Sequence, residues 1–268
     1  MRNCILSMKS SCAIVNKELK GYFVSPIAYS VLCVITVISG IYFYMLLSNF
    51  FAMINQYQMY AQLYRNPALL ERLNLNERVI APFLQFLIIV LIFVVPALSM
   101  RLIAEEKKQK TDELLMTSPI STFNIVLGKF FGSFFFILLA LSLTALFMCI
   151  LFYFGNPELG PLVSGYIGLI FVATLLLSIG LFTSSLTSNQ INAYFISFAI
   201  GLLLLIIGWA SQLTSGAIGS VLGYLSITGH FANFAKGTLD LNDTLYFVSI
   251  IVFFIFLTKT SLESSKWR

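Results

Sequence analysis

Charged side chains that could do chemistry are concentrated in one segment between two apolar stretches. Nine of them lie between Arg101 and Lys129, in RLIAEEKKQKTDELLMTSPISTFNIVLGK. Thr111 can cap a short helix whose first turn would hold Asp112 and Glu113, where carboxylates favour the positive end of the helix dipole. Such a charge-flanked helix suits docking to another protein, because its charges fix the register. An ordinary solvated loop is the alternative.

The same segment contains signals for where this short helix ends. Leu114, Leu115 and Met116 would give it an apolar docking edge. Pro119 would end it, because proline cannot continue a helix, and Ser121 can cap the helix that follows. The pattern predicts a short rigid helix between two long apolar helices.

Motifs for catalysis or for nucleotide binding do not occur in the sequence. Gly128 and Lys129 form the only Gly-Lys pair, but Phe130 follows them and no matching glycine lies upstream. A phosphate-binding loop needs both features, since its backbone amides hold the phosphates. The sequence has no paired carboxylates, nucleophile motif or metal-ligand cluster of the kind that marks an active site. We therefore predict no catalytic residue, metal or cofactor in this chain.

Histidine and cysteine, the other reactive side chains, show no site-like spacing. The four cysteines, Cys4, Cys12, Cys33 and Cys149, form no CxxC motif and are interpreted as packing or surface residues. His230 is the only histidine. We interpret it as a partly buried, hydrogen-bonded residue in preference to a metal ligand or proton carrier.

The elements that must position these residues are membrane-spanning helices. The chain is 59% hydrophobic and 10% charged, unlike a soluble globular domain. Because roughly 20 apolar residues are needed to cross a bilayer as a helix, six blocks qualify or nearly do. They are 27–48, 79–100, 130–154, 161–186, 191–210 and 244–258, the last being short. None contains Asp, Glu, Lys, Arg or His, which argues against an ion-coupled carrier.

The distribution of basic residues predicts the orientation of these spans. With both termini cytoplasmic, 12 Lys and Arg lie inside and 4 outside, as the positive-inside rule requires. Apolar residues at helical spacing from Ser10 to Phe23 predict a helix at the cytoplasmic interface, and Pro26 would turn the chain into the first span. The alternative is a basic anchor that only sets the topology.

Two predicted outer connections contain apolar or aromatic residues. Tyr57, Tyr60 and Tyr64 in the loop from Asn49 to Arg78 have helical spacing and suit an aromatic belt. The segment from Ser211 to Asp243 is apolar but broken by glycines, which predicts a re-entrant pair of short helices. Its predicted outer-gate residues are Gly216, Gly219, Gly223, His230 and Phe231.

The charged segment resembles the corresponding loop of ABC-2 type transporter permeases. The matching residues are Arg101, Glu105, Glu106, Thr111, Glu113, Leu114, Leu115, Ser118, Pro119, Gly128 and Lys129. More narrowly, the chain is similar to permease subunits of the gliding-motility type. That similarity rests on KELKGYFVSPIAY (17–29), SSLTSNQ (184–190), HFANFAKGTLDLNDTLYF (230–247) and SLESSKWR (261–268). Such permeases also occur in bacteria that do not glide, so no particular cargo is implied.

The resemblance implies an all-α integral membrane fold over 1–268 as a single permease domain. It implies an interfacial helix, a cytoplasmic coupling helix and a re-entrant segment before the last of six spans. The coupling residues would be Arg101, Glu105, Glu106, Thr111, Glu113, Leu114, Leu115 and Pro119. The expected partners are ABC ATPase subunits that bind ATP and Mg, a second permease that is identical or different, and the bacterial cytoplasmic membrane. An auxiliary extracytoplasmic membrane protein is also compatible, whereas nucleic acid is not expected.

Three functions follow from these features. The leading one is a permease subunit that exports a substrate with energy from a separate ATPase. The alternative is a membrane scaffold or assembly component of an envelope or motility machine, regulated by an ATPase without solute transport. A nucleotide-independent channel or carrier comes third, because charged residues are missing from the spans.

Overall fold

A computed structural model describes residues 2–64, 74–111, 121–155, 157–214 and 216–265, and every regular element in these ranges is helical. The elements are α1 (Arg2–Val24), α2 (Pro26–Leu63), a π-helical segment (Asn76–Ile80), α3 (Ala81–Ser99), α4 (Arg101–Lys108), α5 (Thr122–Phe154), α6 (Leu159–Leu186), α7 (Gln190–Leu213), α8 (Ala217–Leu225), α9 (Ile227–Ala235) and α10 (Leu241–Ser265).

Six helices are long and apolar enough to cross a membrane, namely α2, α3 with its flanking segments, α5, α6, α7 and α10. The predicted all-helical fold with six spans is therefore confirmed. The helices extend beyond the apolar blocks, most clearly in α2, which continues to Leu63. The prediction that an outer loop begins at Asn49 is wrong for residues 49–63, which are helical. No glycine or proline lies between Asn49 and Leu63 to end the helix, so Tyr57 and Tyr60 belong to α2.

Helices α3 and α6 form the centre of the bundle. In their most apolar stretches, 67% and 61% of residues are buried, against 17% for α2 and 28% for both α7 and α10. Helix α6 packs against α3, α7, α9 and α10. At Gly168 an added Cβ would lie 2.8 Å from the Cβ of Phe234, so the absence of a side chain lets α9 approach α6 closely.

The N-terminal helix is separated from the first span by a sharp turn. Helix α1 ends at Val24, Ser25 has extended backbone angles, and Pro26 occupies the first turn of α2. Proline is favoured there because the N–H that it lacks would have no partner within the helix. Both the helix and the turn were predicted. Helix α1 packs along α5, which places it beside the start of the third span.

Two short helices form a hairpin between α7 and α10. Gly216 precedes α8 with a φ of +88°, a left-handed conformation that glycine adopts without a steric penalty. Helix α8 folds back along α7 and has no buried residue, whereas α9 packs on α6. The predicted pair of short helices is therefore present. It lies at the end of the bundle opposite α1 and α4.

Candidate functional site

Helix α4 is a direct extension of the second long helix. Met100, which joins α3 to α4, has helical backbone angles (φ −54°, ψ −32°), and its amide donates to the Pro96 carbonyl over 2.9 Å. A single helical stretch of 33 residues therefore runs from Asn76 to Lys108. No loop therefore separates α4 from α3.

Lys129 of α5 links α4 to α1 through two ion pairs. Its ammonium nitrogen lies 2.8 Å from an oxygen of Glu106 and 2.9 Å from an oxygen of Glu18. Lys129 is 3% exposed, and the two carboxylate side chains are each 19% exposed. A buried lysine needs such partners, because an unpaired charge is strongly destabilising in an apolar environment. We call this triad the ionic junction.

The close contact of α1 with α5 supports the ionic junction. A Cβ added at Gly132 would lie 2.7 Å from the Cβ of Glu18 and 3.4 Å from the Val15 carbonyl oxygen. Glycine at this position therefore allows α1 to approach α5 closely enough for Glu18 to reach Lys129. The three charged groups come from three helices, so their geometry depends on how α1, α4 and α5 are arranged.

Tyr22 of α1 anchors the other side of this region. Its hydroxyl donates to the Leu98 carbonyl over 3.3 Å and lies 3.0 Å from the Ser133 hydroxyl, and its ring stacks on Phe136. The Arg101 guanidinium carbon lies 4.8 Å from the Tyr22 ring centroid, within reach of a cation–π interaction. Burial raises the pKa of Tyr22 to about 12, so the phenol remains protonated and can donate.

The C-terminal end of α6 holds α4 from the opposite side. The Ser184 hydroxyl oxygen accepts from the amides of Ile103 and Ala104 over 3.0 and 2.9 Å, and its hydrogen is donated to the Met100 carbonyl over 2.9 Å. The Lys107 ammonium donates to the Ser185 carbonyl. Helix α4 is thus fixed between α6 on one side and the ionic junction on the other.

Four of the eight predicted coupling residues lie in the described structure. Arg101 donates to the Ser25 hydroxyl over 3.3 Å, and Glu105 is partly exposed, accepting from Gln109 over 3.4 Å. Glu106 points into the ionic junction, and the Thr111 hydroxyl donates to the Glu106 carbonyl. The other four, with the helix that Thr111 was predicted to cap, lie outside the described residues: Glu113, Leu114, Leu115 and Pro119.

The predicted cap at Ser121 is confirmed. Its hydroxyl oxygen accepts a hydrogen bond from the Asn124 amide at the start of α5.

A cavity of about 490 Å³ between α1 and α4 is lined by both acidic and basic side chains, including those of the ionic junction. Within the described ranges, no group of three or more His, Cys, Asp or Glu residues is arranged to hold a metal ion.

A second cavity of about 490 Å³ lies at the opposite end, between α2, α3, α7 and α9. Gln85, Gln212 and Thr228 contribute neutral polar groups to its lining, and Tyr42 and Trp209 contribute aromatic rings. None of the described residues that line this cavity is acidic or basic, so its described lining is polar but uncharged.

The predicted outer-gate residues are divided between the two helices of the hairpin. Gly216, Gly219 and Gly223 lie in or beside α8, whereas His230 and Phe231 are buried on α9. His230 has hydrogen-bond partners on both ring nitrogens, so its interpretation as a buried, hydrogen-bonded residue is confirmed. A gating role for these residues stays a prediction.

Comparison with known proteins identifies the family. A family model described as ABC-2 family transporter protein matches residues 12–268. The chain belongs to the ABC-2 transporter family. This ABC-2 protein is a multi-pass membrane protein, and its membership agrees with the resemblance found in the charged segment. No curated protein matches its sequence.

The sequence indicated only part of the ionic junction of this ABC-2 protein. Lys129 immediately precedes the third apolar block and was interpreted as loop. Lys129 is next to Phe130 and Phe131 at the start of an apolar helix, and this position indicates burial. A buried lysine requires acidic partners. Glu18 and Ser184 carried no local pattern that would have identified their roles.

Proposed function

We propose that this ABC-2 protein is the permease subunit of an ATP-driven exporter in the bacterial cytoplasmic membrane. Both termini would be cytoplasmic, and ATP with Mg²⁺ would be bound and hydrolysed by separate ATPase subunits. The observation that carries the proposal is the ionic junction. It joins α1, α4 and α5 at the end of the bundle where the sequence concentrates its basic residues.

The proposed coupling of ATP hydrolysis to movement of the spans depends on the contacts that hold α4. An ATPase docking on α4 and on the predicted helix from Thr111 to Pro119 would push on a segment that has no loop between it and α3. Ser184 on α6 and Lys129 on α5 hold α4, so a push on α4 reaches three long helices. Glu105, which is partly exposed, is the described acidic residue best placed to contact the ATPase.

The proposed substrate pathway includes the neutral cavity between α2, α3, α7 and α9. Helices α2 and α7 beside this cavity expose many apolar side chains, and only 17% and 28% of their apolar stretches are buried. A second permease packing on these faces would enclose the cavity and complete the pathway. The same surfaces would otherwise contact lipid.

The hairpin of α8 and α9 fits the proposed re-entrant role. Ile218, Val221 and Tyr224 of α8 are each at least 60% exposed, although α8 belongs to an apolar segment. Apolar side chains exposed in this way are favourable in lipid and unfavourable in water. We propose that α8 lies in the outer leaflet and that Gly216, Gly219, Gly223, His230 and Phe231 form an outer gate.

The narrower similarity to gliding-motility permeases extends the proposal. The quoted segments at 17–29, 184–190 and 230–247 contain residues that hold the structure together, including Glu18, Ser184, His230 and Asp243. A partner ATPase and permease of that type are therefore the first candidates to test. An auxiliary extracytoplasmic membrane protein would contact the hairpin end of the chain.

The test is purification of the tagged chain in mild detergent, followed by identification of the proteins that remain bound to it. The proposal expects an ATPase with a phosphate-binding loop. The purified chain alone should show no ATP turnover, and the complex should show it. Turnover that persists in the isolated chain after contaminating ATPases are removed would contradict a permease-only role.

Transport is then measured with the complex reconstituted in vesicles. ATP-dependent flux of a solute supports an exporter. An intact, ATP-hydrolysing complex that moves no solute, but that recruits an extracytoplasmic protein in response to ATP, would instead establish the scaffold function.

A further inference from the structure

The cavity between α1 and α4, which we call the charged cavity, has a balanced set of charges. Its described lining contains three basic and three acidic side chains, namely Lys17, Arg101, Lys129, Glu18, Glu105 and Glu106. A single anion or cation would leave half of these groups without an opposite charge, whereas a molecule that carries both charges complements them. The volume of about 490 Å³ lies within the range of sites for small ligands.

The basic part of the charged cavity is organised around Arg101. The guanidinium carbon lies 4.8 Å from the Tyr22 ring centroid, and one N–H donates to the Ser25 hydroxyl over 3.3 Å. Among the described carboxylates, none forms an ion pair with Arg101. A guanidinium has five N–H donors in a planar fork that matches phosphate oxygens. Arg101 is therefore held in place with donors left for a phosphate, and the exposed Lys17 adds a second positive charge.

The acidic part of the charged cavity is the ionic junction. Glu18 and Glu106 each place one oxygen on the Lys129 ammonium, so two carboxylates share one cation and the triad has one excess negative charge. Both carboxylate side chains remain 19% exposed and line the cavity. A second ammonium in the cavity would balance this charge and donate to carboxylate oxygens. A quaternary ammonium has no N–H and would make no such hydrogen bond.

Exposed apolar side chains lie next to the charged cavity. Phe23 and Val24, the last residues of α1, are 44% and 83% exposed. They directly precede Ser25, which lines the cavity, and the first span begins in the next helix. Apolar side chains at this boundary are favourable in lipid and unfavourable in water. A lipid with its headgroup in the cavity would place its acyl chains against Phe23 and Val24.

We propose that the charged cavity binds the headgroup of a phospholipid that carries a phosphate and a primary ammonium, as phosphatidylethanolamine does. The phosphate contacts Arg101 and Lys17, and the ammonium contacts the carboxylates of the ionic junction. The bound lipid joins α1 to α4 beside the junction. This site lies at the opposite end of the bundle from the proposed substrate cavity, and it does not depend on an ATPase or on export.

Gly21 provides a way to block the charged cavity. It lines the cavity together with Lys17, Glu18 and Ser25, and their spacing of three or four residues places all four on one face of α1. A Cβ added at Gly21 would meet no heavy atom within 4 Å. Gly21→Leu should therefore occupy the space of the headgroup. Gly160→Leu on α6 is the matched control, because a Cβ added there also meets no heavy atom within 4 Å.

Native mass spectrometry of the full chain in detergent tests the site with three lipids that have identical acyl chains. Phosphatidylethanolamine should bind with a Kd at least about ten-fold lower than phosphatidylcholine or phosphatidylglycerol, because only its headgroup makes charge-assisted hydrogen bonds through both phosphate and ammonium. Gly21→Leu should abolish this preference, and Gly160→Leu should retain it. The preference of the unmodified chain is measured without any variant, so this arm does not depend on the variants folding.

Several results would overturn the proposal. Equal binding of the three lipids, or binding of none, would leave the charged cavity to a protein partner. A preference for phosphatidylglycerol would show that the site selects an anion instead of a zwitterion. A preference for phosphatidylethanolamine that survives in Gly21→Leu would place the lipid elsewhere on the chain. Free phosphoethanolamine that displaces the lipid at equal concentration would show that the ligand is water-soluble.

Discussion

The ammonium nitrogen of Lys129 lies 2.8 Å from a carboxylate oxygen of Glu106 and 2.9 Å from one of Glu18. These contacts connect the extension of the second span to the N-terminal helix. The junction is largely shielded from solvent, so its charges act on one another through a medium of low dielectric constant.

Lys129→Met should destabilise the protein by about 3 kcal/mol, at the lower end of the range for breaking a buried ion pair. The lower value applies because Glu18 and Glu106 each retain 19% exposure. Thermal unfolding in detergent would measure the change. Lys108→Met, on the exposed side of α4, is the control and should leave the midpoint within the error of the measurement. Equal effects of both variants would contradict the structural importance of the junction.

Glu105 and Glu106 are neighbours in sequence but should differ in function. Glu106→Gln should lower the unfolding temperature, because its carboxylate pairs with Lys129. Glu105→Lys should leave that temperature unchanged and raise the Kd for the ATPase about ten-fold, as expected for a charge at an interface. Unfolding scans and binding measurements on each variant separate the two effects. The reverse result would show that Glu106 is the docking residue.

Leu114→Asp should weaken ATPase binding more than Glu105→Lys does. Leu114 lies outside the described residues, and the prediction rests on its place in the apolar edge Leu114–Met116. A carboxylate introduced into an apolar pocket of a partner would be buried without a counter-charge. Co-purification of the ATPase provides the measurement. Undiminished recovery of the complex would indicate that the segment from Thr111 to Pro119 is a solvated loop.

The topology can be tested with thiol labelling. Cys12 is an exposed free thiol on α1, whereas the side chain of Cys4 is outside the described part. A membrane-impermeant maleimide added to intact cells should leave Cys12 unlabelled until the membrane is permeabilised, as predicted by the distribution of Lys and Arg. Thr238→Cys, at an exposed position after α9, should be labelled from outside. The opposite pattern would invert the orientation.

Gly168→Ala should destabilise the bundle by about 1 to 3 kcal/mol, as overpacking usually does. Its new Cβ would lie 2.8 Å from the Cβ of Phe234, so α9 would have to move away from α6. Gly160→Ala is a matched control in the same helix, because no heavy atom lies within 4 Å of the corresponding Cβ position. Similar unfolding temperatures for the two variants would show that the contact is not tight in solution.

The long apolar helices could be predicted from sequence because membrane crossing requires long uninterrupted apolar runs. The full length of α2 could not, since Asn49 to Leu63 is more polar than the preceding block but has no helix-breaking residue. Hydropathy identifies the part of a helix that suits lipid. It does not identify where the hydrogen-bonded helix ends.

The buried charged residues were missed for a related reason. Lys129 and Asp243 each lie one residue before the first residue of a predicted apolar block, at Phe130 and Thr244. Both are buried in the folded chain, because helices α1 and α4 cover the first and the α8–α9 hairpin covers the second. Their partners, Glu18 and His230, come from distant or irregular segments, so only tertiary packing could reveal these pairs.

The continuous helical stretch from Asn76 to Lys108 has a mechanical consequence. At about 1.5 Å per residue its 33 residues form a rod about 50 Å long. Gln85 of the neutral cavity lies nine residues from one end, and Glu106 of the ionic junction lies two residues from the other. If the rod pivots where it is packed between α6 and α7, its ends swing in opposite directions. Displacing the end that carries Glu106 would then move Gln85 in the opposite direction and change the width of the cavity.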